Sequence, residues 1–481
     1  VSYADAEERT ALGARILLAA GVQPGDRVIV ARRKSIESFM AVHAIHRAGG
    51  VVVPIDPLAP AAALQPLVAN ARPSAVIGDP SVTVKLDLDV TVPDLLAVIE
   101  EFVECPELPS ADELPEPSTG QAPAYIIYSS GSTGVPKGIV HSHASGLAYA
   151  AMTAEEFGLT RSDRLAALTP LHFDMSTFEL YAMPYVGGSS AIFSEAELRF
   201  PATFTERAAA ARCTIWYGVP FMFQQVVDRG VLDERDFSPL RTIAYAGEPF
   251  PTAGLRRMMM AFPGVLITNV YGPAEVNAIT HHHLIAPPAP HEVDTPIGLP
   301  AIGVDYLIVG TDRTTPLADD ADEVGELVVS APTRMLGYWE QPELDELTSM
   351  PRADGPDWYR TGDLVTVDLD GTLRFRGRRD HQVKVRGVRL ELESIEAVVA
   401  SAPGVRHAVV GPDAGNDQLA AVVVMHDDAE FDPRALRRWV ASRVSPAALP
   451  SSFAARPAMP TTSNGKIDVR LVRTELQQEH A

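Results

Sequence analysis

The run YSSGSTGVPKGIVHSH, residues 128–143, places glycines, hydroxyl side chains and a lysine directly after the apolar stretch 124–127. Gly131, Gly134 and Gly138 free the backbone to take dihedrals that a Cβ would forbid, so amide N–H groups can converge on an anion. Ser129, Ser130, Ser132 and Thr133 add donors, and Lys137 after Pro136 adds a point charge that can follow a polyphosphate. The spacing is not that of a Walker loop: Lys137 follows Gly134 by three positions and precedes another glycine, whereas a Walker lysine directly follows glycine and precedes serine or threonine. Taken alone, the same composition also describes a solvent-exposed turn.

The elements that must position this run alternate in type. Leu12, Ile16 and Leu17 share a helical face that Gly21 ends, a Pro24-Gly25-Asp26 turn follows, and residues 27–31 read as a buried strand. Residues 39–48 repeat the helix, Gly49-Gly50 break it, and VVVPI from Val51 is a strand ending at Asp56-Pro57. Such βα alternation predicts an α/β large N-terminal domain with mostly parallel sheets covered by helices, with ligands outside the carboxyl ends of the strands. The proline-rich residues 106–123 read as a loop leading into the strand before the glycine-rich run. A domain boundary is expected at Asp380: GTLRFRGRRD has the alternation of a hairpin, and a compact tail follows it. The predicted domains are 1–379 and a small α+β C-terminal domain, 380–481. In the tail, Asp432-Pro433 starts a helix with Leu436, Trp439, Val440 and Val444 on one face.

Composition narrows the function classes. The chain has 481 residues, 46% of them hydrophobic, enough for a large core and more than one domain. Its formal net charge of −22 argues against a nucleic-acid or anionic-membrane binder, whose affinity rests on lysine and arginine. Cys105 and Cys213 are too few for a disulfide framework, and no export signal or 18-residue apolar span is evident, so a soluble cytoplasmic protein is expected. The opening VSYADAEERT reads as the middle of a helix-bearing unit, implying a short missing leader.

Four more segments occur in order: FDMSTFE at 173–179, NVYGPAE at 269–275, YRTGD at 359–363 and PTTSNGKID at 460–468. With YSSGSTGVPKG, GRRDHQVKVRG and AGGVVVPIDP at 48–57, they resemble the superfamily of acyl-CoA synthetases, luciferases and nonribosomal-peptide-synthetase adenylation domains over nearly the whole chain. The resemblance implies ATP and Mg²⁺ as cofactors and attack of a carboxylate on the α-phosphorus of ATP, with pyrophosphate leaving. By resemblance Glu275 holds Mg²⁺, Tyr271 gives an aromatic face and Asn269 an amide to adenine, and Asp363 accepts the ribose hydroxyls with Arg378 assisting. Lys466, by the same resemblance, bridges the carboxylate and α-phosphate. Asp380 resembles the hinge on which the small domain turns to admit a pantetheine thiol, with Lys384 and Gly387 then facing the site. Ala274 stands where many relatives have threonine, and Phe375 where many have tyrosine.

Asp174 resembles the carboxylate that pairs with the α-ammonium of an amino acid substrate; its alternative is an N-cap for the segment from Met175. Carried over one by one, Met175, Phe178, Gly218, Ala244, Ala246, Val270, Ala278 and Ile279 surround the substrate side chain, with Gly218 placed to within about two residues. All are uncharged, which suits a small or medium neutral amino acid: alanine first, with proline, valine or a β-amino acid as rivals. His281, His282 and His283 do not read as a metal site, because adjacent strand residues alternate faces. The chain shows no later Gly-Gly-x-Ser phosphopantetheine site, since GGSS at 187–190 lies inside the large domain. The expectation is a stand-alone amino acid activating enzyme that loads a separate carrier protein through its phosphopantetheine arm. The alternatives are an acyl-CoA synthetase using free CoA and a catalytically silent nucleotide-binding regulator.

Overall fold

The computed structural model describes residues 1–78, 82, 86, 114–116, 120–129, 136–289, 292, 294–310, 315–317, 323–379, 382–415, 417–426, 429–461 and 467–478. The chain divides into two compact units: Val1–Pro57, Ala71–Tyr128 and Gly138–Arg379 make the first, and Leu58–Asn70, Ser129–Lys137 and Asp380–Ala481 the second. The division thus passes between Arg379 and Asp380, and two shorter segments that sequence reading placed in the large domain group with the tail.

The first unit opens with the helix Tyr3–Ala19. Ser2 caps it reciprocally with Asp5: the Ser2 hydroxyl accepts from the Asp5 N–H at 3.2 Å, and the Asp5 carboxylate accepts from the Ser2 N–H at 2.9 Å. VSYADAEERT thus holds a capped helix start. A six-stranded sheet follows, in the order Gly337–Tyr338, Lys137–Ser142, Pro123–Ser129, Val51–Pro54, Arg27–Ala31, Ala75–Gly78. Arg27–Ala31 runs parallel to Val51–Pro54 and Ala75–Gly78, and Val51–Pro54 parallel to Pro123–Ser129, while Gly337–Tyr338 is an antiparallel edge on Lys137–Ser142.

The second sheet has seven strands, in the order Leu299–Pro300, Thr280–Leu284, Leu266–Tyr271, Thr242–Ala246, Ile215–Gly218, Arg164–Ala167, Ser189–Ile192. Its last five strands pair in parallel, and Thr280–Leu284 turns back antiparallel. Because strand side chains alternate between faces, this sheet serves two cores. Trp216, Ile243, Tyr245 and Ile267 join Phe204, Phe223 and Leu255 on one face. Ile215, Tyr217, Ala244, Ala246 and Val270 join Tyr149, Met175 and Phe178 on the other. The ion pair of Lys34 and Glu179 is almost dry, at 3.4 Å with side chains 5% and 2% exposed.

A third, wholly antiparallel sheet is built from Asp305–Val309, Gly325–Ser330, Trp358–Val367 and Ser349–Met350, with Leu373–Arg378 also paired to Trp358–Val367. Sequence reading found the last hairpin but not the sheet: its strands have no crossover helices to produce the βα rhythm. In the second unit the hairpin Gln382–Val385/Val388–Glu391 precedes the helix Leu392–Ala400. Val405–Pro412 and Leu419–Met425 pair antiparallel, with Ser452–Ala455 parallel to the latter. Helix Pro433–Ala441 is capped by Asp432, which accepts from the N–H groups of Arg434 and Ala435, and buries Leu436 and Val440. Among the described residues no helix is long and apolar enough to cross a membrane.

Candidate active site

The turn after Leu266–Tyr271 is shaped by what it cannot hold. A Cβ on Gly272 would lie 1.5 Å from the Asn277 carbonyl oxygen, so only glycine fits, and Asn277 takes φ 56°, a left-handed conformation that asparagine tolerates. Donors from other segments fix its carbonyls: His141 Nε2–H to Ala274 O at 2.8 Å, Met335 N–H to Glu275 O at 2.8 Å, and Thr333 Oγ1–H to Val276 O at 2.6 Å. Burial pushes the His141 imidazole down to about 4, so it makes this bond as a neutral ring. Glu275 is 0% exposed, and the Tyr338 hydroxyl donates to its Oε1 at 2.9 Å.

Among the described residues no group of three His, Cys, Asp or Glu side chains could hold a metal ion. A cation beside Glu275 would take one protein carboxylate and fill its other positions with phosphate and water oxygens. That donor set fits Mg²⁺, a hard ion usually bound this way with nucleotides.

Asp363 lies across the strand pair from Arg378. Its side chain is 6% exposed, accepts from the Tyr271 hydroxyl at 2.5 Å, and forms an ion pair with the Arg378 guanidinium. Burial first, and the charge of Asp363 second, push the Tyr271 phenol well above its ordinary range, so it stays a donor. Asn269 is two residues back on the same strand face, and its amide donates to Pro296 O at 2.8 Å. Ser129 ends Pro123–Ser129, half-buried. Lys137 belongs to the second unit, where Nζ is 2.8 Å from Glu391 Oε1; its charge is engaged there. Ser130, Gly131, Ser132, Thr133, Gly134, Asp380 and Lys466 lie outside the described residues.

Asp174 opens the short 3₁₀ turn Asp174–Ser176, and its Oδ1 accepts from the Met175 N–H at 3.0 Å. The cap position itself is Phe173. A single π turn, Phe178–Ala182, follows; its extra residue per turn is a common device for re-aiming side chains at functional sites. Met175, Phe178, Ala244, Ala246, Val270 and Ala278 come together in one cluster with Tyr149 and Tyr217. Gly218 and Ile279 do not. A Cβ on Gly218 would meet Phe223 at 3.3 Å and Leu168 at 3.5 Å, on the other face of the sheet, and Ile279 packs with Ile139, Val276 and Ile297. The strand presents Tyr217 instead, one residue earlier, because adjacent side chains point to opposite faces. Burial, with Asp174 adding to it, raises the Tyr125, Tyr149 and Tyr217 phenols, Tyr149 up to about 12, so these three hydroxyls stay neutral in this carboxylate's field. Thr177 Oγ1 donates to Asp174 O at 2.6 Å and to Asn277 Oδ1 at 3.4 Å, and Asn277 Nδ2 donates to Tyr125 Oη at 3.3 Å, so polar groups join this segment to the Gly272 turn.

The family description "AMP-binding enzyme" matches residues 1–339, and "AMP-binding enzyme C-terminal domain" matches residues 394–466. The chain is an AMP-binding enzyme. It thereby belongs to the superfamily of adenylate-forming enzymes. This AMP-binding enzyme is 32% identical to an L-proline–(L-prolyl-carrier protein) ligase of Pseudomonas fluorescens, over 97% of this chain and 93% of that one. It is 30% identical to a protein of the same name from Streptomyces coelicolor, over 98% and 91%. Its match to a dimodular nonribosomal peptide synthase of Bacillus subtilis, at 30% over 97% of this chain, covers only 19% of that protein. Among solved structures, the amide bond synthetase McbA from Marinactinospora thermotolerans superposes with TM-score 0.82 at 25% identity over 99% of this chain and 95% of that one. The Vibrio cholerae adenylation domain AlmE, at 22% identity and TM-score 0.80 over 98% and 92%, shares the fold.

In this AMP-binding enzyme His281 and His283 share a face, with Glu156 Oε1 at 3.6 and 3.0 Å from their rings, and His282 points the other way. Ala274 uses its carbonyl to hold His141, and Phe375 packs at the edge of the third-sheet core. Lys384 lies on the second unit's hairpin and Gly387 in its turn. Sequence reading missed Tyr149, Tyr217, His141 and Tyr338. Tyr217 could have been found by fixing which residues of 215–218 face the same way as Met175; the others carry no local signal.

Proposed function

We propose that this enzyme activates a small neutral amino acid, proline ahead of alanine, and loads it on the phosphopantetheine thiol of a separate carrier protein in the cytoplasm. In the first step the amino acid carboxylate forms a bond to the α-phosphorus of ATP and the bond to pyrophosphate breaks. In the second the thiolate attacks the acyl carbon and AMP leaves. The observation that carries the amino acid reading is Asp174: one carboxylate beside a wall of uncharged side chains, within the field of three neutral phenols. A substrate ammonium offsets the cost of keeping that charge partly out of water. The sequence expectation put alanine first; the two near-full-length ligases named for proline move the ring ahead.

In this reading Asp363 and Arg378 receive the ribose, with the Tyr271 hydroxyl fixing the carboxylate between them. Glu275 would hold Mg²⁺, whose charge, when bound, offsets that of the phosphates. Lys466 would stabilise the charge developing between carboxylate and α-phosphate, and Asp380 would be the pivot between half reactions. Pyrophosphate exchange across proline, alanine, valine, β-alanine and cyclopentanecarboxylate tests the first step. Proline should lead, and cyclopentanecarboxylate, which has the ring without the nitrogen, should trail by about 30-fold or more. Preference for cyclopentanecarboxylate would overturn the amino acid reading. Supplying holo carrier protein or free CoA with the same acid then separates the carrier ligase from a CoA ligase.

A further inference from the structure

A carboxylate with no exposed surface needs donors to remain charged, and the kind of donor matters. Lysine or arginine would cancel the charge a cation needs; a phenol orients the group and leaves its charge in place. Glu275 receives such a phenol from Tyr338, at 2.9 Å.

Tyr338 is itself anchored from several directions. Its N–H donates to Asp345 Oδ1 at 2.8 Å, and the Leu336 and Trp339 N–H groups donate to Val140 O and Gly138 O, each at 2.7 Å. Gly337 sits at φ 155°, where a Cβ would fall 2.7 Å from Asp345 Oδ2, so the backbone is held against that carboxylate. The ring is 7% exposed and packs with Ile139, Val276 and Met335, and its oxygen lies 3.4 Å from Tyr359 Oη. The hydroxyl is thus placed by the strand leaving the glycine-rich run and aimed at the carboxylate after Leu266–Tyr271.

The geometry points to Tyr338 as a positioning residue that turns Glu275 for the divalent cation accompanying ATP. This rests on the reading of Glu275 as the Mg²⁺ ligand. Outer hydrogen bonds to metal-binding carboxylates commonly alter metal affinity by about 10- to 100-fold. The test uses full-length protein, Mn²⁺ as a spectroscopic probe and α,β-methylene-ATP as a nucleotide that cannot be cleaved. Electron paramagnetic resonance titration reads Mn²⁺ affinity for wild type, Tyr338→Phe, Tyr359→Phe and Glu275→Gln.

Tyr338→Phe, which keeps the packed ring, should weaken Mn²⁺ by about 10-fold or more, while binding of the metal-free nucleotide stays near wild type and the melting temperature falls by only a few degrees. Tyr359→Phe should change Mn²⁺ affinity much less. High Mg²⁺ should restore pyrophosphate exchange by Tyr338→Phe. If Glu275→Gln weakens Mn²⁺ and Tyr338→Phe does not, Tyr338 is only a core residue and the inference is overturned. If Glu275→Gln leaves Mn²⁺ binding intact, the metal-ligand reading itself fails and takes this inference with it.

Discussion

Replacing Asp174 with asparagine removes one negative charge but keeps an oxygen able to accept from the Met175 N–H, now 3.0 Å from Oδ1. The local turn should survive, since that bond, worth about 1 kcal/mol as an ordinary hydrogen bond, is retained. A substrate ammonium would lose its counter-charge. Breaking a fully buried pair costs about 3–5 kcal/mol. Asp174 is only partly buried, so water screens the loss to about 2–3 kcal/mol, or about 30- to 150-fold in kcat/KM for proline. Cyclopentanecarboxylate has no cation to lose and should change by less than about 3-fold. The assay is amino-acid-dependent pyrophosphate exchange with both acids, beside a melting curve for the variant. Equal losses with the two acids would refute the reasoning and leave Asp174 as a turn residue.

Three other perturbations address the scaffold. Lys34→Met strands the Glu179 carboxylate, 2% exposed, and should destabilise the first unit by about 3–5 kcal/mol in urea unfolding; Lys34→Met with Glu179→Gln should recover part of this, and no recovery would argue against an unpaired charge as the cause. Burial holds His141 and His281 down at about 4 against an ordinary 6.5, so the unfolded chain binds more protons and stability rises with pH: it is full above 6.5 and is lost as pH falls toward 4. The loss is about 2 kcal/mol per ring at pH 5, and urea midpoints that rise from pH 7.5 to 5 would contradict it. Gly272→Ala drives a Cβ to 1.5 Å from Asn277 O, so the turn must open, costing about 1–3 kcal/mol and displacing Glu275; a variant with wild-type stability and pyrophosphate exchange would show that the turn adapts freely.

The sequence by itself determined the class of chemistry and most local elements. A glycine-rich run after an apolar strand, βα alternation, and ordered motifs around Asp174, Glu275 and Asp363 are local patterns, and local patterns survive in one dimension. Helix and strand starts such as Asp432-Pro433 and Val51 were legible because caps and periodicity are set by neighbours in the chain. What only the tertiary structure decided was which side chains face one another. The antiparallel third sheet left no rhythm, because its partners are long-range. Tyr217 rather than Gly218 faces Met175, because a strand flips its side chains at every residue and a one-residue ambiguity in sequence becomes the opposite face in space. Tyr338 meets Glu275 across 63 positions of chain, and Tyr271 meets Asp363 across 92. No composition or spacing encodes such pairs; they exist only once the sheets have brought their strand ends together.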